Sequence, residues 1–254
     1  VSNEVKANST GKGGGCRSAN CKGSSQEERL SKSADACVSN GRKLVEDAGL
    51  LFDWDRYSTA LALAVLAQEE FSKAFILKLV VDGALPWIPA VRQSISKHQC
   101  KHLLAIVMDW LPTFEDWHDT YDERKTTHDT AEAEFHFPIN VATALNIYRH
   151  EEIERIRSGY AWKEDDWAKG NARKIANGSL DRKKQAALYV DITKNGDAGL
   201  HPGLITSQEA EEAIQRAKRL SDLPLTFSTE YEKLRNAMIA VFANLSQEQT
   251  EHRG

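Results

Sequence analysis

Arg92, His98 and Lys101 bring a guanidinium, an imidazole and an ammonium into one predicted helical stretch, with Lys97 beside them. His98 and Lys101 are spaced i,i+3 and so share a helix face. Arg92-x5-His98 places the arginine under two turns away, at about 1.5 Å of rise per residue. Such a set matches what cleavage of a phosphodiester beside a 2′-hydroxyl requires. An imidazole can move a proton from the 2′-hydroxyl to the leaving oxygen near neutral pH. A guanidinium, with or without an ammonium, can stabilise charge gathering on the phosphate. The same spacing also describes a solvated basic helix face, and on spacing alone that plainer reading is the stronger.

Other residues suggest other chemistries. His98 and His102 are i,i+4 with Cys100 between them, and Glu115–His118 has the Glu-x-x-His step of di-iron bundles. That step is needed twice, with two further carboxylates, and no second copy falls in a core helix. The HQCKH run also lacks the glutamate of HExxH, so no metal ligand is assigned. Cys100 and its flanking histidines point to different faces, which makes a buried structural cysteine the better reading. Glu69, Glu70 and Lys73 interrupt an otherwise apolar helix, where Lys73 can meet either glutamate at i,i+4 or i,i+3. Arg173, Lys174, Arg182, Lys183 and Lys184 form the densest basic segment outside the N-terminal tail, able to meet phosphates or simply water. Tyr189 follows as a core residue with a tethered hydroxyl.

The elements that must position these groups are helical. Residues 60–81 are apolar almost all round, as the central helix of a bundle should be. A first helix is expected over 26–49, then the central helix over 56–82, with Asp53 or Asp55 as its cap. Asp82-Gly83 ends it. One helix is predicted over 89–110, stopped by Pro112. A polar stretch over 113–137 reads as a short helix and loop, and Asn140–Tyr160 as a helix. Residues 161–204 read as a surface excursion on the domain, with 181–193 a short helix running into extended chain. Ser207 caps an amphipathic helix to Leu220, and a last helix runs from Ser228 to about Ala243. The organisation expected is a disordered arm over 1–25, a helical domain over 26–247 and a frayed tail over 248–254. The arm is too rich in Gly, Ser, Asn and Lys to offset its ordering entropy.

Composition narrows the class. A chain of 254 residues with 41% hydrophobic and 28% charged residues is expected to fold as a globular protein with a sizeable core. The net charge of −4 excludes a global attraction to polyanions, leaving only local patches. No apolar run approaches a membrane span, and the N-terminus lacks a signal pattern, so a cytoplasmic location is expected. The four cysteines show no CxxC pair and are expected to be reduced.

Three segments, in order, resemble one family. Residues 36–77 resemble the N-terminal helix pair of the AbiV abortive-infection proteins, a branch of the HEPN superfamily. The A-x-x-LA-x-x-A-x-EE-x-x-K form falls on Ala60, Leu63, Ala64, Ala67, Glu69, Glu70 and Lys73. His98-Gln-Cys-Lys101 resembles the family's H-x-x-K element, and Lys184-Gln-Ala-Ala-Leu-Tyr-Val-Asp191 its late LYVD element. The resemblance implies an all-α, HEPN-like helical bundle with additional helices, commonly a homodimer, acting in bacterial defence against phage. It further implies a ribonuclease without metal or other cofactor, whose R-x4-6-H motif lies in a cleft shared by two protomers. On that reading Arg92, His98 and Lys101 are catalytic. Glu69, Glu70, Lys73, Tyr189 and Asp191 support the cleft, and Lys97, Arg182, Lys183 and Lys184 bind RNA. A phage-encoded activator or neutralising protein is the further partner implied. A non-catalytic helical protein that binds a phage or host protein is the alternative.

Overall fold

The computed structural model describes residues 24–110, 139–148, 171–223, 225 and 228–251. The arm over 1–23, the stretch 111–138, residues 149–170 and the last three residues, with the expectations made for them, lie outside the described residues. Among the described residues the architecture is all-α, and the only strand-like feature is one isolated bridge between Ile192 and Ala198.

Helix α1, Gln26–Asp53, starts where Ser25 accepts a hydrogen bond from the Glu28 amide at 3.1 Å, with Glu27 and Glu28 in its first turn. Helix α2, Tyr57–Val81, returns antiparallel to it after a short turn. Asp53 and Asp55 do not cap α2. Its N-cap is Arg56, which makes no side-chain cap, while Asp55 adopts φ 58° in the turn and accepts from the Tyr57 hydroxyl. The two helices approach closely at Gly41, where an added Cβ would lie 2.7 Å from the Phe71 ring. Apolar all round, α2 is buried on nearly every face, packing against α1 and against helices from the rest of the bundle.

The single helix expected over 89–110 is two. Helix α3, Pro89–Ser96, ends at Lys97, whose backbone is extended (φ −80°, ψ 124°), and α4, His98–Trp110, begins at once. Ser94 bonds back to the Val91 carbonyl at 2.7 Å, and Ser96 to those of Arg92 and Gln93 at 3.2 and 3.0 Å. Local hydroxyl bonds of this kind compete with the helical ladder and bend it. The break separates Arg92 and His98 onto different helices.

Helix α5, Ile139–Tyr148, buries Val141, Ala144, Leu145 and Tyr148. Helix α6, Asn171–Ala176, buries Ala172, Ile175 and Ala176, so this part of the expected excursion belongs to the core. Helix α7, Ser179–Ala186, follows Gly178, whose φ of 78° suits glycine. The chain then becomes extended, as expected, in an exposed loop with Asp191 paired to Leu200 and Gly199 through the backbone (2.8 and 2.7 Å). Helix α8, Ser207–Asp222, is capped by Thr206 rather than Ser207, and Glu209 completes a capping box. Helix α9, Thr229–Glu251, returns Tyr231, Leu234, Met238 and Phe242 to the core. The Tyr231 hydroxyl donates to Asp82 at the end of α2. Among the described residues, no helix is long and apolar enough to cross a membrane.

Candidate functional site

A buried carboxylate on α2 organises the site. Glu69 is 3% exposed and accepts from four side chains on two other helices. Oε2 takes His98 Nδ1 at 2.8 Å and Lys101 Nζ at 2.6 Å. Oε1 takes His102 Nε2 at 2.9 Å and Lys184 Nζ at 2.7 Å. Helical spacing explains the convergence. His98, Lys101 and His102 sit at i, i+3 and i+4 of α4, one face, and Lys184 comes from α7. Ser72, one turn beyond Glu69, donates to the Lys101 carbonyl at 2.8 Å and fastens α4 to the same face of α2.

Burial alone would raise the Glu69 carboxyl, but the hydrogen bonds from His102, Lys101 and Lys184 hold it well below the usual carboxylate range. Burial would also lower the Lys184 ammonium, yet its bonds to Glu69 and Asp181 leave it raised. His102 goes the other way. Burial outweighs the Glu69 contact, so its pKa is lowered and the ring stays neutral, with Nδ1 buried and without a partner among the described residues.

His98 differs from the groups around it because it reaches solvent. Its side chain is 46% exposed, against 4% for Glu69. A ring nitrogen 2.8 Å from a carboxylate oxygen must be the protonated one, so Nδ1–H donates to Glu69 and Nε2 is left to face an incoming group. This is the arrangement in which a carboxylate fixes the tautomer and orientation of an acid–base histidine.

Asp181 completes the cluster, 2.9 Å from Lys184 Nζ and 3.9 Å from His98 Nδ1. Glu69, His98 and Asp181 offer ligand atoms within 4.8 Å of one another, a spacing that could embrace a cation. The Lys184 ammonium already stands among them, with His98 Nδ1 3.2 Å away. An internal cation thus balances these donors.

The structure sorts the other expected residues apart. Glu70 and Lys73 pair with each other at 2.6 Å. They face α1, where Glu70 bonds the Cys37 thiol; burial, reinforced by Glu70, pushes that thiol up to about 11. Neighbouring glutamates lie about 100° apart around a helix, so Glu69 and Glu70 serve different interfaces. Arg92 is exposed and donates to the Trp87 carbonyl at 3.2 Å, and no hydrogen bond or ion pair among the described residues joins it to His98. Lys184, expected on an RNA-binding surface, is instead 7% exposed and clasped inside the cluster. Lys183 pairs with Glu209 at 2.6 Å, and Arg182 donates to the Asn177 carbonyl at 2.8 Å. Lys97 occupies the break between α3 and α4. Tyr189 is 69% exposed rather than buried, and Asp191 is exposed in the same loop. Cys100 is buried in the core.

Two members of the site were missed by sequence reasoning. His102 was legible as the i,i+4 partner of His98, but weighed only as a metal ligand. Asp181 was marked by its i,i+3 spacing to Lys184, a weak signal by itself.

A helical bundle with an acid–base cluster between its helices is the class the fold and site define, and a HEPN family model, AbiV, matches residues 29–222. The chain belongs to the AbiV family of the HEPN superfamily. The matched range includes the Glu-Glu/Lys helix, the H-x-x-K element and the LYVD element. Comparisons with curated proteins and with solved structures return no match.

Proposed function

We propose that the protein is a bacterial anti-phage abortive-infection effector that cleaves RNA without a metal and so arrests infected cells. Family membership supports the defence role. The observation that carries the chemistry is the His98 ring, fixed through Nδ1 to a saturated buried carboxylate while its other edge stays open. In this reading His98 Nε2 accepts the proton of a ribose 2′-hydroxyl, whose oxygen bonds to the adjacent phosphorus. The bond to the 5′-oxygen breaks, and that oxygen takes the proton from the imidazolium. A cyclic phosphate and a 5′-hydroxyl result. Glu69 orients the ring; it is not the base, because both its oxygens are occupied. Lys101 and Lys184 hold Glu69 ionised. Arg92, exposed and bonded only to a carbonyl among the described residues, is the cation offered to the phosphate.

The protein acts as a cytoplasmic homodimer in this account, its cleft shared by two copies and its activity set by a phage-encoded activator or neutralising protein. Purified protein incubated with total RNA and EDTA tests the reading. The wild type should cleave despite the chelator, and His98→Ala should not, with its helical circular dichroism unchanged. A fully active His98→Ala protein would remove His98 from the chemistry, and loss of wild-type activity on chelation would remove the metal-free mechanism.

One observation favours a second reading. Leu188, Tyr189, Val190, Ile192 and Leu200 form an exposed apolar loop, the kind of surface that engages a protein. A non-catalytic protein that binds a phage or host component, blocking translation or phage replication, would use it and would leave RNA intact in the same assay.

A further inference from the structure

Eight large apolar side chains are exposed among the described residues, and they gather at one end of the bundle. Leu50 and Trp54 stand at the turn from α1 to α2, and the other six lie between residues 188 and 204. The two segments are neighbours through the core beneath them. Phe52 and Tyr57 of the turn, and Ala187 and Ile205 at the two ends of the loop, pack on one small cluster around Leu61 and Val65. Single exposed apolar residues are ordinary on a protein surface, but a gathered patch marks a place where another molecule docks.

The backbone of the loop fixes the form of the occupant. Ile192 and Ala198 bridge as an antiparallel pair. The bonds that close it are Gly199 N–H to the Asp191 carbonyl at 2.7 Å and Thr193 N–H to the Asp197 carbonyl at 2.9 Å. Asp191 and Thr193 thus turn their backbone groups into the hairpin, and the alternation of an antiparallel ladder turns those of Val190 and Ile192 outward. Neither outward residue makes a hydrogen bond among the described residues, and they are 54% and 62% exposed. A lone two-stranded hairpin is marginally stable, and free edges are commonly blunted by lysine, proline or a bulge. This edge presents β-branched apolar residues instead, the surface to which an extended chain adds as a strand.

Charge selects among extended chains. Over 50–56 and 188–204 the exposed acids are Asp53, Asp55, Asp191 and Asp197, against Arg56 and Lys194. Two such acidic patches repel each other, whereas basic groups flanking an apolar strand complement them. We infer that this end of the bundle docks an extended segment of another protein, in which β-branched apolar residues alternate between basic flanks. The segment adds to the Val190–Ile192 edge as a third strand, and its apolar side chains cover Tyr189 and Trp54. The inference gives a partner chemistry to the protein-binding reading and holds whether or not His98 acts on RNA.

A displayed library of short random peptides, panned on the full chain, tests it. Ile192→Lys alters an exposed side chain and places a cation on the edge, so its helical circular dichroism should match the wild type. The expected peptides alternate Val, Ile, Thr or Tyr between Lys or Arg, and bind Ile192→Lys at least tenfold more weakly than the wild type. N-methylation of one alternate set of peptide amides should abolish binding, and methylation of the other set should not. Bound peptide should also slow hydrogen exchange at the Ile192 amide. Selection of acidic or helix-patterned peptides, selection of none, or binding that neither Ile192→Lys nor N-methylation weakens would overturn the inference. Protection of the Ile192 amide that grows with the concentration of the protein alone would overturn it too, by assigning the edge to a second copy.

Discussion

Glu69 is the residue on which the candidate site converges. Four donors converge on it, two of them ammonium groups removed from water. Removing one partner of a buried charge cluster leaves the others uncompensated, at a cost of about 3–5 kcal/mol. Glu69→Gln should therefore destabilise the fold by an amount in that range, read as a lowered midpoint in urea denaturation. The acid limb of stability follows from the same groups. The folded-state pKa of His102 is lowered from 6.5, so its contribution is complete above 6.5 and is lost as pH falls through the folded value. Glu69 is lowered from 4.5, so its larger contribution is complete above 4.5 and lost below. The melting temperature should begin to fall below about pH 6.5 and fall more steeply below about 4.5. Glu69→Gln should lack the second, steeper phase; an unchanged acid profile in that variant would contradict the assignment.

The helices explain why the site forms, and how far it could be read beforehand. The apolar run of α2 announced a central helix, and the i,i+3 and i,i+4 spacing of His98, Lys101 and His102 announced a shared face. Periodicity does not reveal which helix a polar face will meet. Glu69 and Glu70 look equivalent in sequence, yet a rotation of about 100° sends one to α4 and α7 and the other to α1. The break at Lys97 was equally hidden, because serines compatible with a helix interior turned their hydroxyls onto the preceding carbonyls. Its consequence is functional: the Arg92-x5-His98 spacing no longer measures a distance along one helix. The α1–α2 pairing rests on the close approach at Gly41. A methyl there meets the buried Phe71 ring at 2.7 Å, and overpacking of this kind costs about 1–3 kcal/mol. Gly41→Ala should lower the thermal midpoint while leaving the helical circular dichroism of the folded protein unchanged. An unchanged midpoint would show that the ring can move aside.

At the scale of the whole molecule, the all-α architecture and the family were legible from three ordered elements, whereas the use of each element was not. The LYVD segment suggested a core tyrosine, whereas Tyr189 and Ile192 lie in an exposed loop at 69% and 62% exposure. Sequence patterns of alternating apolar residues do not distinguish a face that meets its own core from one left for another molecule. If two copies meet through this loop, the wild type should sediment as a dimer, and Tyr189→Asp with Ile192→Asp should sediment as a monomer with unchanged helicity. A variant that remains dimeric would assign the loop to another partner.

The central claim is that Glu69 holds His98 ready to transfer a proton during RNA cleavage. Its most direct test is the single-turnover cleavage rate of His98→Ala on an RNA oligonucleotide, with and without added imidazole. General acid–base catalysis contributes roughly 10²–10⁴-fold, so the substitution should slow cleavage by that order, and imidazole reaching the half-exposed site should restore part of the rate. Cleavage by His98→Ala at the wild-type rate would contradict the account.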